Sequence, residues 1–244
     1  MSLLLHGDCL ELMKGLDSDS VDLIFCDLPY GQTNCKWDFK LYDNRIDLNK
    51  FWIEVMRIKK LNTPIFMTTS TRFGLSLLNS CPKKCPFRYD IVWVKSEKLG
   101  FLQCRKMPMR KHEMIYVFYE KLPFYDLSSH THTLIKCNDK KEYGGLYDAK
   151  VKRVDGKKGQ YNPPLPSSLL EIKSTRGKHS TEKPVALMEW ILKYYSKEGD
   201  VVLDPTMGSG STGVACKNMN RNFIGIEKHP EIYEIAVDRL ENCI

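Results

Sequence analysis

Two short stretches of the chain carry residue types whose order could do chemistry. The first, Asp27-Leu28-Pro29-Tyr30, follows the apolar run VDLIFC at 21–26. It sets a carboxylate, a peptide carbonyl held extended by the following proline, and an aromatic ring at the exit of a strand-like segment. An amine attached to an aromatic ring is a poor nucleophile, because its lone pair is delocalised into the ring. Asp27 can accept one N–H of such an amine and the Leu28 carbonyl the other. Together they draw the nitrogen toward a pyramidal shape, and Tyr30 can stack on the ring. The plain alternative is a strand-ending turn with a solvent-facing aspartate.

The second stretch is VVLDPTMGSGST at 201–212. An apolar strand ends in Asp204, a tight turn carries Gly208 and Gly210, and a helix starting near Thr212 offers unpaired N–H groups to a ligand. Glu227, 23 positions beyond Asp204, closes the next strand and can accept both hydroxyls of a ribose. GSGSTG at 208–213 has G-x-G-x-x-G spacing, so three readings stand at this point: a plain strand–turn–helix, a nicotinamide dinucleotide site, or an S-adenosylmethionine site. The acidic rim opposes a pyrophosphate and suits a sulfonium and an α-amino group, which favours the third.

The elements that must position these stretches follow from apolar patterning. Strands are predicted at Leu3–Leu5, Val21–Cys26, Ile65–Thr68, Asp90–Val94, Met114–Tyr119, Val201–Leu203 and Asn222–Ile226. Helices are predicted at Cys9–Gly15, Leu48–Leu61, Thr71–Ser80, Pro184–Ser196 (with Ser180 and Thr181 as caps), Thr212–Met219 and Pro230–Asn242. Strands alternating with helices give an α/β, mostly parallel, doubly wound sheet. In such a sheet the carboxyl ends of the strands share one edge, where ligands bind, so Asp27 and Asp204 can face one pocket although far apart in sequence. The segment Leu122–Lys178 is different: turn formers are dense and apolar periodicity is absent, which reads as an irregular insertion.

With 244 residues, 42% hydrophobic and 27% charged, the totals describe one large globular domain with room for that insertion. The longest apolar runs are too short to span a bilayer, and MSLLLHGDCLELM does not read as a secretion leader. Nine scattered cysteines fit reduced thiols, hence a cytoplasmic setting. Net charge is +7, and residues 136–178 hold eleven Lys/Arg against five Asp/Glu. That surplus is either a solvated lysine-rich surface or one laid against phosphates. CPKKC at 81–85, with Cys104, Cys137, His130 and His132, lacks paired C-x₂-C spacing, and no metal is expected.

The sequence resembles the amino-type DNA methyltransferases, which methylate N6 of adenine or N4 of cytosine. GDCLELM (7–13), VDLIFCDLPYGQTNCKWD (21–38), HSTEKPVALMEWILKYYS (179–196) and the block 201–240 are similar to the N-terminal, catalytic, Lys-Pro and glycine blocks of that family. Their order, catalytic block first, matches its β group. The resemblance implies a Rossmann-like methyltransferase sheet with S-adenosylmethionine as cofactor. The catalytic half would be 1–121, a basic target-recognition insertion 122–178, and the cofactor half 179–244.

It further implies that Asp27, Leu28, Pro29 and Tyr30 form the catalytic tetrad. Asp8, beside Cys9, would take the adenine amino group of the cofactor and Glu227 its ribose. Asp204, Pro205, Thr206, Gly208, Ser209, Gly210, Ser211 and Thr212, with Thr181 and Lys183, would surround the methionine part, Lys183 meeting the α-carboxylate. The chain departs from the family pattern at Leu28, where proline is usual, at Thr206, where phenylalanine is common, and in HSTEKP. Double-stranded DNA is the expected partner, with a homodimer and a cognate restriction enzyme as further ones. Phosphate-binding candidates are Lys150, Lys152, Arg153, Lys157, Lys158, Arg176 and Lys178 of the insertion, and Arg105, Lys106, Arg110 and Lys111 before a strand. The leading Asp favours adenine N6. The alternatives are cytosine N4 or a silent nucleic-acid binder. No Pro-Cys nucleophile supports carbon-5 chemistry.

Overall fold

A computed structural model of the chain describes residues 1–29, 46–136, 157–174 and 182–242. Two compact units result: residues 1–125 with 168–244, and residues 126–167.

In the larger unit eight strands form one sheet. They are β1 (Ser2–His6), β2 (Leu23–Cys26), β3 (Ile65–Thr69), β4 (Phe87–Leu99), β5 (Arg110–Phe118), β8 (Leu169–Glu171), β9 (Val201–Asp204) and β10 (Asn222–Glu227). The order across the sheet is β1-β10-β9-β2-β3-β5-β4-β8. The five strands from β1 to β3 run parallel, and β5 is antiparallel to both β3 and β4. Helices α1 (Cys9–Leu12), α2 (Leu48–Ile58), α3 (Thr71–Ser80), α4 (Val185–Tyr195), α5 (Ser211–Asn218) and α6 (Pro230–Asn242) supply the connections. None of them is long and apolar enough to cross a membrane.

Pleating sorts the strand side chains between two faces. Ile24, Cys26, Ile65 and Met67 pack with Phe51, Trp52, Val55 and Ile58 of α2 and with Leu77 of α3. Phe66, one residue out of phase, instead meets the Tyr195 ring of α4 with centroids 5.0 Å apart. The sequence places a charge, Asp22, at the mouth of β2. Asp22 accepts from the Val201 amide (3.0 Å) and from Lys60 (2.7 Å), which stitches β2 to β9. Asp47 and Ser70 cap α2 and α3 by accepting from first-turn amides.

Each predicted strand and helix overlaps an observed element, the predicted helix Leu48–Leu61 overrunning α2 and the predicted strand Val21–Cys26 starting ahead of β2. Three strands are additional. β8 pairs in parallel with β4 (Val92↔Leu169 to Val94↔Glu171), so residues 168–171, read from sequence as part of the irregular segment, belong to the main sheet. In the smaller unit β6 (Thr131–Lys136) and β7 (Lys157–Asn162) form an antiparallel pair. The other surprise is length. β4 runs to Leu99 and β5 begins at Arg110, well past the predicted ends.

Candidate active site

The strand order sets four carboxylates in a row. β1, β10, β9 and β2 are neighbours, and their carboxyl ends carry Asp8, Glu227, Asp204 and Asp27 respectively. The chain leaves β9 through α5 toward β10 and leaves β2 through α2 toward β3. The connections therefore diverge between β9 and β2, the kind of switch point at which open α/β sheets leave a crevice.

Each member of the row is held by its own loop. Asp8 caps α1, accepting from the Leu10 amide (2.9 Å), while Lys228 reaches its other oxygen (3.2 Å). Glu227 is buried and accepts from the backbone of Gly208 (3.1 Å) and His229 (2.8 Å). Asp204 accepts from Thr212 Oγ1 (2.6 Å) and from the Thr206 amide (3.1 Å). Burial pushes its carboxyl up to about 7. The Thr212 and Thr206 bonds pull it back, and the charges of Asp27 and Glu227 add to the rise. The turn between is closed by the Gly210 amide on Met207 O (2.9 Å), with Gly210 at φ +81°, where other residues are strained. A side chain at Gly208 would meet nothing within 4 Å, so backbone there is open to a ligand.

Asp27 sits on the other side of the switch point. Register Cys26↔Met67 brings it beside Thr68, whose hydroxyl donates to Oδ1. Lys183 donates to Oδ2 and stands 3.6 Å from Oε1 of Glu113, whose Oε2 Lys95 approaches at 2.7 Å. Burial works against the charge on Lys183, but Asp27 and Glu113 outweigh it and hold the ammonium above the usual lysine range. Leu28 is buried in the core, which anchors the peptide whose carbonyl follows Asp27. Burial also pushes the thiols of Cys9 and Cys216 up to about 12, and Cys26 upward, so these cysteines are packing residues and poor nucleophiles.

Of the residues singled out from sequence, Asp8, Cys9, Asp27, Leu28, Pro29, Lys183, Asp204, Pro205, Thr206, Gly208, Ser209, Gly210, Ser211, Thr212 and Glu227 lie on or beside this edge. Tyr30, Thr181, Lys150, Lys152, Arg153, Arg176 and Lys178 lie outside the described residues. Lys157 and Lys158 open β7 of the smaller unit. Arg105, Lys106 and Lys111 are exposed on the β4–β5 hairpin, and Arg110 donates to His112 O (3.1 Å). Thr68, Glu113, Glu182 and Arg239 were not anticipated. A glutamate inside the apolar strand RKHEMIYVF was the available signal, since a charge there needs a partner.

The donor set fits S-adenosylmethionine. The acidic row suits a sulfonium, an ammonium and a ribose diol. Thr206 Oγ1 is buried and, among the described residues, has no hydrogen-bond partner, which leaves a polar atom for the ligand.

Comparison with known proteins agrees. Residues 21–238 match the DNA methylase family. The chain is 29% identical to the type II methyltransferase M2.DpnII of Streptococcus pneumoniae and 30% identical to M2.LlaDCHI of Lactococcus lactis subsp. cremoris, each time over 98% of this chain and 89% of the relative. Among solved structures, the M1.HpyAVI–SAM complex superposes with a TM-score of 0.65 at 27% identity, covering 98% of this chain and all of that one. The cytosine-N4-specific PvuII methyltransferase shares the fold (TM-score 0.69, 17% identity, 100% of this chain and 88% of that one).

Proposed function

This chain belongs to the DNA methylase family, and we propose that it transfers a methyl group to the N6 amine of adenine flipped out of duplex DNA. The enzyme depends on S-adenosylmethionine, whose sulfonium supplies an electrophilic methyl group when bound. Glu227 would hold the ribose, Asp8 the adenine amine, and Asp204, Thr206 and the turn 208–212 the methionine part.

The observation that carries the reading is Asp27 at the switch point, fixed on both oxygens by Thr68 and Lys183 and followed by the buried Leu28. A carboxylate has about four lone-pair sites, so Asp27 accepts an amine N–H without releasing either partner. The Leu28 carbonyl accepts the second N–H. Both bonds favour the tetrahedral nitrogen over the planar one, so they strengthen as the amine becomes nucleophilic. No enzyme nucleophile takes part. Tyr30 stacks on the flipped base. An aspartate at position 27 favours adenine, and cytosine N4 is the second reading, kept because the same two acceptors serve that amine. The smaller unit, with Lys157 and Lys158, is read as target recognition. A restriction enzyme of the same site and a second copy of the chain complete the proposed partners.

The test is transfer of tritiated methyl from S-adenosylmethionine to mixed-sequence duplex DNA, with the product nucleoside identified by mass. The wild type is expected to yield N6-methyladenine and Asp27→Ala none. N4-methylcytosine overturns the base assignment, and equal transfer by Asp27→Ala overturns the role of the tetrad.

A further inference from the structure

We infer that the tip of the β4–β5 hairpin is a DNA wedge, in which Phe101 and Leu102 fill the gap left in the duplex by the extruded base; this rests on the methyl-transfer reading above. The hairpin starts at the site. The last residue of β3, Thr69, pairs with Met114, and the next residue of β5 on the tip side is Glu113, 3.6 Å from the Lys183 that holds Asp27. β5 then runs on through His112 and Lys111 to Arg110 with no β3 partner. At ~3.4 Å per residue, those four positions carry the hairpin roughly 14 Å past the carboxyl edge, more than the ~8.5 Å depth of a major groove.

The tip is built, and it is apolar. Gly100, at φ +92°, turns the chain into a short 3-10 helix at Phe101–Gln103. The amides of Gln103, Cys104, Lys106 and Met107 bond back to Gly100, Phe101 and Gln103 carbonyls at 2.9–3.1 Å. This fixes Phe101 and Leu102 at the apex, where they are 75% and 98% exposed, with Met107 at 55%. A protein gains nothing in its own core from side chains placed there. Around them, residues 98–111 carry five cations, Lys98, Arg105, Lys106, Arg110 and Lys111, and no acid. The occupant must therefore be anionic outside and apolar inside. A duplex opened at one base step is such a partner: phosphates meet the cations, and the exposed faces of the neighbouring bases receive the apolar side chains. Flipping costs stacking and pairing, and the wedge offsets that cost and blocks return of the base.

The experiment first reads the recognition site from a plasmid methylated by the wild type; if the wild type leaves no methylated base, the functional reading has failed, and the wedge with it. Given the site, wild type and Phe101→Ala/Leu102→Ala are compared on two oligonucleotide duplexes, one fully paired and one with an abasic position opposite the target base. The double variant should lose on the order of 100-fold on the paired duplex and come within a few-fold of wild type on the abasic one, where extrusion is already cheap. Phe101→Leu/Leu102→Met keeps apolar volume and should keep activity on both. Undiminished activity of the alanine variant on paired DNA overturns the inference, and so does an equal loss on both duplexes. So does wild-type binding to phosphatidylglycerol vesicles that the alanine variant lacks while methylating normally, which would make the tip a membrane contact.

Discussion

Lys183 Nζ bonds Asp27 Oδ2, 156 residues away in sequence, while standing 3.6 Å from Glu113 Oε1, so one buried ammonium joins the end of β2 to the root of the β4–β5 hairpin. The resemblance to amino-type methyltransferases gave Lys183 to the α-carboxylate of the cofactor. In its observed place it bonds Asp27, and we propose that it orients this carboxylate for catalysis. Lys183→Met should therefore lower kcat by about 10- to 100-fold, the order of a misplaced catalytic group, while the Kd for S-adenosylmethionine moves little. Titration calorimetry beside single-turnover kinetics separates the two roles. A Kd raised about tenfold with kcat intact would return Lys183 to the cofactor carboxylate.

Thr68 is the second proposed positioning residue. It is fully buried, and its hydroxyl donates to Asp27 Oδ1. Thr68→Val keeps the shape and removes the donor. The carboxylate can then rotate about its side-chain bond, and kcat should fall by roughly tenfold with KM for DNA unchanged. Thr68→Ser restores the donor and should restore most of the rate. A Val variant as fast as wild type would show that the Thr68 bond does not set the position of Asp27.

The parts of the site that rest on local pattern were legible. Asp27, Asp204 and Glu227 each end an apolar strand, and parallel strands put such ends on one edge, so the crevice follows from the sequence pattern. Long-range pairings were not. Nothing in spacing couples Asp27 to Thr68 or Lys183, because each partner is chosen by sheet register and loop path. β8 escaped because three residues, Leu169–Glu171, carry no periodicity. The hairpin overhang escaped because its strand residues 96–99 are exposed and face no core that would impose alternation.

Asp204 should make cofactor binding depend on pH. Burial raises its carboxyl from 3.8 to about 7, so the folded protein holds the proton where the unfolded chain has lost it. Its stabilising contribution is thus full below 3.8 and is lost as pH rises toward 7. Asp204→Asn does not titrate there, so its melting temperature should gain on wild type between those values and run parallel above them. A cationic ligand prefers the ionised form. Wild-type affinity for S-adenosylmethionine should rise through pH 7, and that of Asp204→Asn should stay level. A level wild-type profile would place the cationic group away from Asp204.

Arg239 of α6 ties the glycine turn to the segment that leads into α4. One guanidinium nitrogen donates to Ser209 O (3.2 Å) and to the hydroxyls of Ser209 and Ser211 (3.3 Å each), and another pairs with Glu182 Oε1 at 2.7 Å. Glu182 adjoins Lys183, so this fork sets the turn that would hold the cofactor and the lysine that holds Asp27 relative to each other. A lysine cannot span both arms, because its ammonium is a single point of charge. Arg239→Lys and Arg239→Met should then both weaken cofactor binding by about tenfold and lower kcat as well, with Met the worse of the two. Glu182→Gln removes only the ionic arm and should lower kcat more than it raises Kd. If the Arg239 variants lose thermal stability but bind and turn over normally, the fork serves the packing of α6 alone.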